Sequence, residues 1–272
     1  MSAPEAVDES TAIAEAKGLV QEAYGTMRRG KSEGLLPLLK ENLSITGPGP
    51  AAVADRGALV MALNEALPPR KNHKVLGRGA LVGVSPGGHS AWLVDQVTVD
   101  GTPLVGSAVL ERVNDFWVVA AVHVGRPISD RDLARALKAG PLPAPAAIRA
   151  VAPPTTAAVV ARFRDGIASD RGFRPQLAED AIAIGVTPGS VVQGADKIAR
   201  AWKKATKDGD TVAIDGAVRA ALSGDGQLAW IDATLLRGRG EAPPVPHRAT
   251  YVYRKDGATW ALVLAHESIA RP

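Results

Sequence analysis

The sequence predicts an α+β fold written twice along one chain. Three observations carry this expectation. Short anchors recur in the same order in the two halves, each half places helical periodicity ahead of a run of extended segments, and a proline-rich stretch separates them. GLLPLLKEN (34–42) and GFRPQLAED (172–180) share Gly-x-x-Pro-x-Leu-x-Glu-Asn/Asp and lie 138 residues apart. TGPG (46–49) and VTPG (186–189) place their prolines 140 apart, and GHSAWL (88–93) and GQLAWI (226–231) lie 138 apart. WVVAAVH (117–123) and WALVLAH (260–266) lie 143 apart. The spacing grows by five residues, which fit in RGRGEAPPVPHR (237–248), a Gly- and Pro-rich turn. The expected organisation is copy one at 1–138, a linker at 139–156 and copy two at 157–272. The five prolines in 138–156 make that linker stiff and extended.

Each copy opens on a helix. Leu19, Val20, Ala23, Tyr24 and Met27 line one helical face in copy one, and Val159, Val160, Phe163 and Ile167 line one in copy two. A short helix follows, with Ser32 or Asp170 as N-cap and Pro37 or Pro175 in its first turn, where a missing N–H costs nothing. A strand comes next, at 43–46 or 182–186. The following helix carries Leu59, Val60, Leu63 and Leu67, matched by Ile198, Ala201, Trp202 and Ala205. Four extended segments complete each copy: 73–84, 89–99, 104–113 and 116–124, then 212–222, 227–236, 248–254 and 259–267. SPGG, DGT, ND, SGDG and KDG between them are hairpin signals. Strands this long imply a strongly bent antiparallel sheet wrapping its helices. A short helix at 130–137 ends copy one.

Composition narrows the function classes. At 46% hydrophobic and 22% charged, the chain of 272 residues is too apolar for disorder. With no cysteine, disulfides, thiolate chemistry and cysteine zinc sites are excluded. The net charge of +4 is scattered, and its densest group (Lys203, Lys204, Lys207) falls on the polar side of a helix, so no nucleic-acid partner is expected. No apolar run reaches the length of a membrane-spanning helix. The polar, acidic start MSAPEAVDESTAIAEAKG carries no leader pattern, so the expected location is cytoplasmic.

The chemistry-bearing residues are few. His73, His89, His123, His247 and His266 show no metal-ligand spacing, so no metal is expected. GPGP (47–50) lacks the lysine of a phosphate loop, and no cofactor motif occurs. Trp117 and His123, like Trp260 and His266, are six apart, which puts both on one strand face about 20 Å from each other. They form no single site. On the structural reading the tryptophans fill the core and the histidines end the strand at its rim. Asp95 points away from Trp92, whereas Asp232 shares the face of Trp230 and needs a partner such as Arg219 or Arg248. Tyr251 and Tyr253 share a face as packing residues, and His266 and Glu267 lie on opposite faces.

Two patterns carry a resemblance. Ala-Trp stands on the second long strand in both copies, Ala91-Trp92 and Ala229-Trp230, and the last strand reads Trp-x5-His-x-Ser at Trp260, His266 and Ser268. Copy one keeps Trp117 and His123 but has Gly125 in the serine position. With the element order, these resemble the SnoaL-like branch of the nuclear transport factor 2-like superfamily, which includes ketosteroid isomerases. The resemblance spans the chain apart from its first ten residues and the linker. It implies cone-shaped α+β rolls with a pocket at the open end, and sheet-to-sheet pairing of the two copies as an internal pseudo-dimer.

The isomerase chemistry that the resemblance brings is disfavoured. It needs an aspartate before the strand-ending proline, where this chain has Gly47 and Thr187, and a first-helix tyrosine where it has Ala23, with Tyr24 one residue on. A His/Asp acid–base arrangement like that of polyketide cyclases leaves His266, Asp232 and His123 as catalytic candidates. The expected pocket residues are Trp230, Trp260, Trp92, Trp117, Tyr24 and Phe163. The function expected is binding of a small apolar organic molecule, with acid–base chemistry open to it and no cofactor. The alternative is a non-catalytic interaction or assembly module. Copy two, with the fuller motif, is the expected functional copy.

Overall fold

A computed structural model of the chain describes residues 6–47, 56–57, 59–61, 72–139, 142, 145, 147–148, 150–168, 176–240 and 243–269. It is α+β, with two compact units carried mainly by residues before and after 125. Each is a cone-shaped roll with a six-stranded mixed sheet.

In the N-terminal unit, α1 (Glu9–Arg28) starts at Asp8, whose carboxylate accepts the Thr11 N–H at 3.0 Å and satisfies an otherwise unpaired helix-end donor. A 3₁₀ segment (Ser32–Leu38) follows, capped by Lys31 and carrying Pro37 near its end. The expected short helix is present as this 3₁₀ segment, but Ser32 is its first residue instead of its cap and Pro37 lies outside its first turn. The segment runs straight into β1 (Leu39–Thr46), and a short 3₁₀ piece fits a proline before an extended strand. Residues 56–57 and 59–61 are helical. Leu63 and Leu67 lie outside the described residues, as do Pro48, Asp170 and Pro175. The expected single segment 73–84 is broken into β2 (Val75–Gly77) and β3 (Leu81–Val84), with Gly79 at φ 105 between them.

The meander continues with β4 (Ser90–Val99), β5 (Thr102–Val113) and β6 (Phe116–Gly125). Asp100-Gly101 and Asn114-Asp115 both take positive φ, as two-residue hairpin turns require. The strand order is β1-β6-β5-β4-β2, with β3 also on β4.

The C-terminal unit contains α2 (Asp130–Ala139), tied in by the Ile128 N–H donating to Val186 O at 2.8 Å. A 3₁₀ turn (Pro154–Thr156) leads into α3 (Ala157–Ala168). Then come β7 (Leu177–Ile184), β8 (Val191–Gln193), α4 (Ala195–Lys207), β9 (Asp210–Leu222), β10 (Leu228–Arg239), β11 (Val245–Asp256) and β12 (Thr259–Ile269). In the order β8-β7-β12-β11-β10-β9, the run β7-β12-β11-β10-β9 repeats β1-β6-β5-β4-β2 of the first sheet, with β9 in the place of both β2 and β3 and β8 added at the β7 edge. The one parallel pairing keeps its register too: Thr46 faces His123 in the first sheet, and Ile184 faces His266 in the second.

Two irregularities curl the second sheet. β9 shifts register against β10 around Gly216, which sits at φ 74. β12 carries an extra residue against β11: Val252 faces Leu264 while Tyr253 faces Leu262, so Val263 is bulged out. The core lies on the concave side, where Phe163 of α3 packs on Tyr251 with ring centroids 5.2 Å apart. Ile231, Leu235, Tyr253, Leu262 and Ala265 complete that layer. No helix among the described residues is long and apolar enough to cross a membrane.

Candidate functional site

The C-terminal unit holds a pocket of about 790 Å³ lined by α2, α4 and the ends of its strands. That size suits a small organic molecule. Ile198, Trp202 and Ala205 form one wall, a stripe on α4 at spacings of four and three. Ala183 and Ile184 at the end of β7 form a second, and Leu133 and Leu137 of α2 a third. The floor is made where β10 and β12 end and β11 begins, and it presents Arg237, His247, Ala265 and Glu267.

The polar part of that floor is one connected cluster around the buried Glu267 carboxylate. Oε2 accepts from Arg237 Nε at 3.0 Å and lies 2.9 Å from His247 Nδ1. Oε1 accepts from the Tyr251 hydroxyl at 2.6 Å and from Arg237 Nη2. Burial alone raises a carboxyl pKa, but here the Arg237 guanidinium and the His247 hydrogen bond outweigh it and hold Glu267 well below the usual range. Burial opposes the Arg237 charge as well, and the Glu267 carboxylate more than restores it. Burial and the adjacent carboxylate push the Tyr251 hydroxyl well up, so it stays a donor. Glu267 is therefore an anion with four donors on two oxygens, which is what a buried charge needs.

The fold does not demand this cluster. Carried through the repeat and its hairpin register, Arg237, His247, Tyr251 and Glu267 correspond to Val99, Leu104, Ala108 and Val124. The same strands in the N-terminal unit thus hold four apolar side chains. In copy two, these positions carry charge and hydrogen bonds on the floor of a cavity.

The catalytic candidates read from the sequence lie elsewhere. Asp232 faces the convex side of the sheet, where Arg219 Nε and Nη2 reach its Oδ2 at 3.1 and 3.0 Å and the Thr250 hydroxyl donates to Oδ1 at 2.8 Å. His266 is on that face too, opposite Thr250. Burial pushes its pKa down to about 3 against the pull of the Glu267 charge, so it is neutral at ordinary pH. His123 is fully buried in the N-terminal unit.

Among the described residues none of the six expected pocket aromatics lines this pocket. Phe163 supports Tyr251 from beneath, and Trp260 packs against the same core. Trp230 is buried on the face that carries Asp232. In the N-terminal unit, Trp117 donates from Nε1 to Glu15 Oε2 at 3.0 Å. Trp92 lies over Gly83, where a Cβ would sit 2.2 Å from its ring. Tyr24 donates to Asp95 Oδ2 at 2.8 Å, and the Arg78 N–H reaches the other Asp95 oxygen at 3.2 Å.

Sequence reasoning missed Arg237, His247, Tyr251 and Glu267 as a set. The available signal was the repeat itself: aligning the copies exposes four apolar-to-polar replacements on adjacent strands. Among the described residues no group of three or more His, Cys, Asp or Glu side chains could hold a metal. The Glu267 oxygens are already taken by donors.

Residues 160–272 match the family model described as a SnoaL-like domain. No curated protein matches the chain. Among solved structures, a protein of the NTF2-like family from Streptomyces avermitilis aligns at 15% identity and a TM-score of 0.39, covering 45% of this chain and 100% of that one. An NTF-2 like protein of unknown function from Silicibacter pomeroyi DSS-3 aligns at 18% identity and TM-score 0.36, covering 42% and 95%. A domain of unknown function with a cystatin-like fold from Nostoc punctiforme aligns at 12% identity and TM-score 0.41, covering 48% and 86%.

Proposed function

With residues 160–272 forming a SnoaL-like domain, we propose that the C-terminal unit binds a small, largely apolar organic molecule in its cone pocket. One observation carries the reading. Apolar walls from α2, α4 and β7 converge on the Glu267 cluster, and the equivalent positions of the N-terminal unit are apolar. A pocket with a few fixed polar groups on an otherwise apolar surface is built for ligands. A scaffold used only for assembly has no need of a buried ion pair on a pocket floor, because burying charge costs stability.

The walls set the ligand's character. Trp202 offers an aromatic surface, and the leucines of α2 cover the opposite side. Arg237 and Glu267 neutralise each other. Arg239 at the rim lies 3.3 Å from Asp210 and 3.5 Å from Asp208. Lys204 also reaches Asp208 at 3.3 Å, so the floor and this side of the rim are balanced in charge and a neutral molecule fits best. Glu267 serves as an anchor; with its oxygens occupied and its pKa depressed it is a poor proton carrier.

The test is calorimetric titration with naphthalene derivatives of the wild-type protein and of Ala205→Trp, which fills the pocket from α4. Wild type is expected to bind with Kd on the order of 100 μM, and the filled variant at least tenfold more weakly. No binding by wild type, or equal binding by both, overturns the reading.

A further inference from the structure

We infer that His247 is the pocket's hydrogen-bond acceptor, so that the ligand is a neutral aromatic molecule bearing a hydroxyl. This rests on the pocket reading above and narrows it to a class of molecule. An ionised carboxylate can only accept hydrogen bonds. His247 Nδ1, 2.9 Å from Oε2, must therefore carry the proton of that contact. In the neutral imidazole this fixes the tautomer and leaves a lone pair on Nε2. Among the described residues no second partner bonds the ring, and His247 lines the pocket. Nε2 is then the acceptor left for a guest.

The remaining floor groups cannot play that part. Arg237 has only donors, and both its Nε and Nη2 are directed at Glu267. The Tyr251 hydroxyl is turned to Glu267 and is not part of the pocket lining. Ser190, whose hydroxyl donates to Thr187 O at 2.5 Å, belongs to the turn before β8 and not to the floor. A ligand that brings a hydroxyl to this floor meets the His247 acceptor, the Asp130 and Asp210 carboxylates of the lining belonging to the starts of α2 and β9, and Trp202 is placed to take an aromatic body. An ether or hydrocarbon of the same shape fills the walls but leaves Nε2 dehydrated and unpaired, which costs binding. The equivalent N-terminal position is Leu104, with Val124 in place of Glu267, so this acceptor is particular to the C-terminal unit.

The test compares 2-naphthol with 2-methoxynaphthalene by calorimetry on the wild-type chain and on His247→Leu, which installs the residue of the other copy. Wild type is expected to prefer 2-naphthol by about tenfold, and His247→Leu to bind the two equally. Equal wild-type affinities overturn the acceptor role and leave the pocket standing. A preference that survives in His247→Leu overturns it as well. If neither compound binds wild type, the pocket reading fails with it. The wild-type ratio needs no variant, so the comparison stays decisive if His247→Leu folds poorly.

Discussion

Glu267 Oε2 lies 2.9 Å from His247 Nδ1, while Arg237 grips the same carboxylate through two nitrogens. Removing one member leaves the others buried without a counter-charge. Glu267→Gln is expected to cost the C-terminal unit about 3–5 kcal/mol, read by urea denaturation. Arg237→Val combined with Glu267→Val, the residues of the other copy, is expected to cost clearly less than Glu267→Gln alone. A double variant as weak as the sum of its single changes would show that the pair stabilises the fold on balance.

Acid should weaken the same unit, with two groups contributing in the same direction. The Glu267 pKa is lower in the folded chain than its ordinary 4.5, so its stabilisation is complete above that value and is lost as pH falls below it. His266 is held at about 3 from an ordinary 6.5, so the unfolded chain takes up a proton below pH 6.5 that the folded chain refuses. Between pH 7 and 5 the His266 share is on the order of 2 kcal/mol. Denaturation curves at the two pH values should show that loss in wild type and a much smaller one in His266→Gln. An unchanged slope in the variant refutes the assignment.

A separate expectation concerns the N-terminal unit. Tyr24 and the Arg78 N–H are the hydrogen-bond donors to the buried Asp95 carboxylate. Tyr24→Phe should lower the stability of that unit by about 1–3 kcal/mol, because it leaves a buried acceptor unpaired. Gly77→Ala should act on the same pair, since its new Cβ would lie 2.5 Å from Asp95 Oδ2. Thermal unfolding measures both, and 2-naphthol affinity should stay at the wild-type level in each variant.

Much of this architecture was legible in the residues. The repeat, the helix-then-meander order and the hairpin turns all follow from local periodicity and turn chemistry, as at Asp100-Gly101. The inward place of Glu267 was not, and the reason is one bulged residue. A spacing of six should keep Trp260 and His266 on one face of a regular strand. Val263 breaks the alternation, so Trp260 and Leu262 point into the core before it, and Ala265 and Glu267 after it. Glu267 thereby takes the inward place that parity assigns to His266. A bulge depends on pairing with the neighbouring strand and leaves no mark in a single strand's sequence. Asp232 illustrates the opposite case: its need for an arginine was evident from its place on an apolar strand, and Arg219 supplies it.

The most direct test of the central claim is amide chemical-shift mapping of the full chain during titration with 2-naphthol. Shifts should gather on Ala183, Trp202, Ala205 and His247, with none at Val99, Leu104 and Ala108. Shifts centred on those N-terminal positions, or a spectrum that does not change, would contradict the assignment of the ligand site to the C-terminal cone.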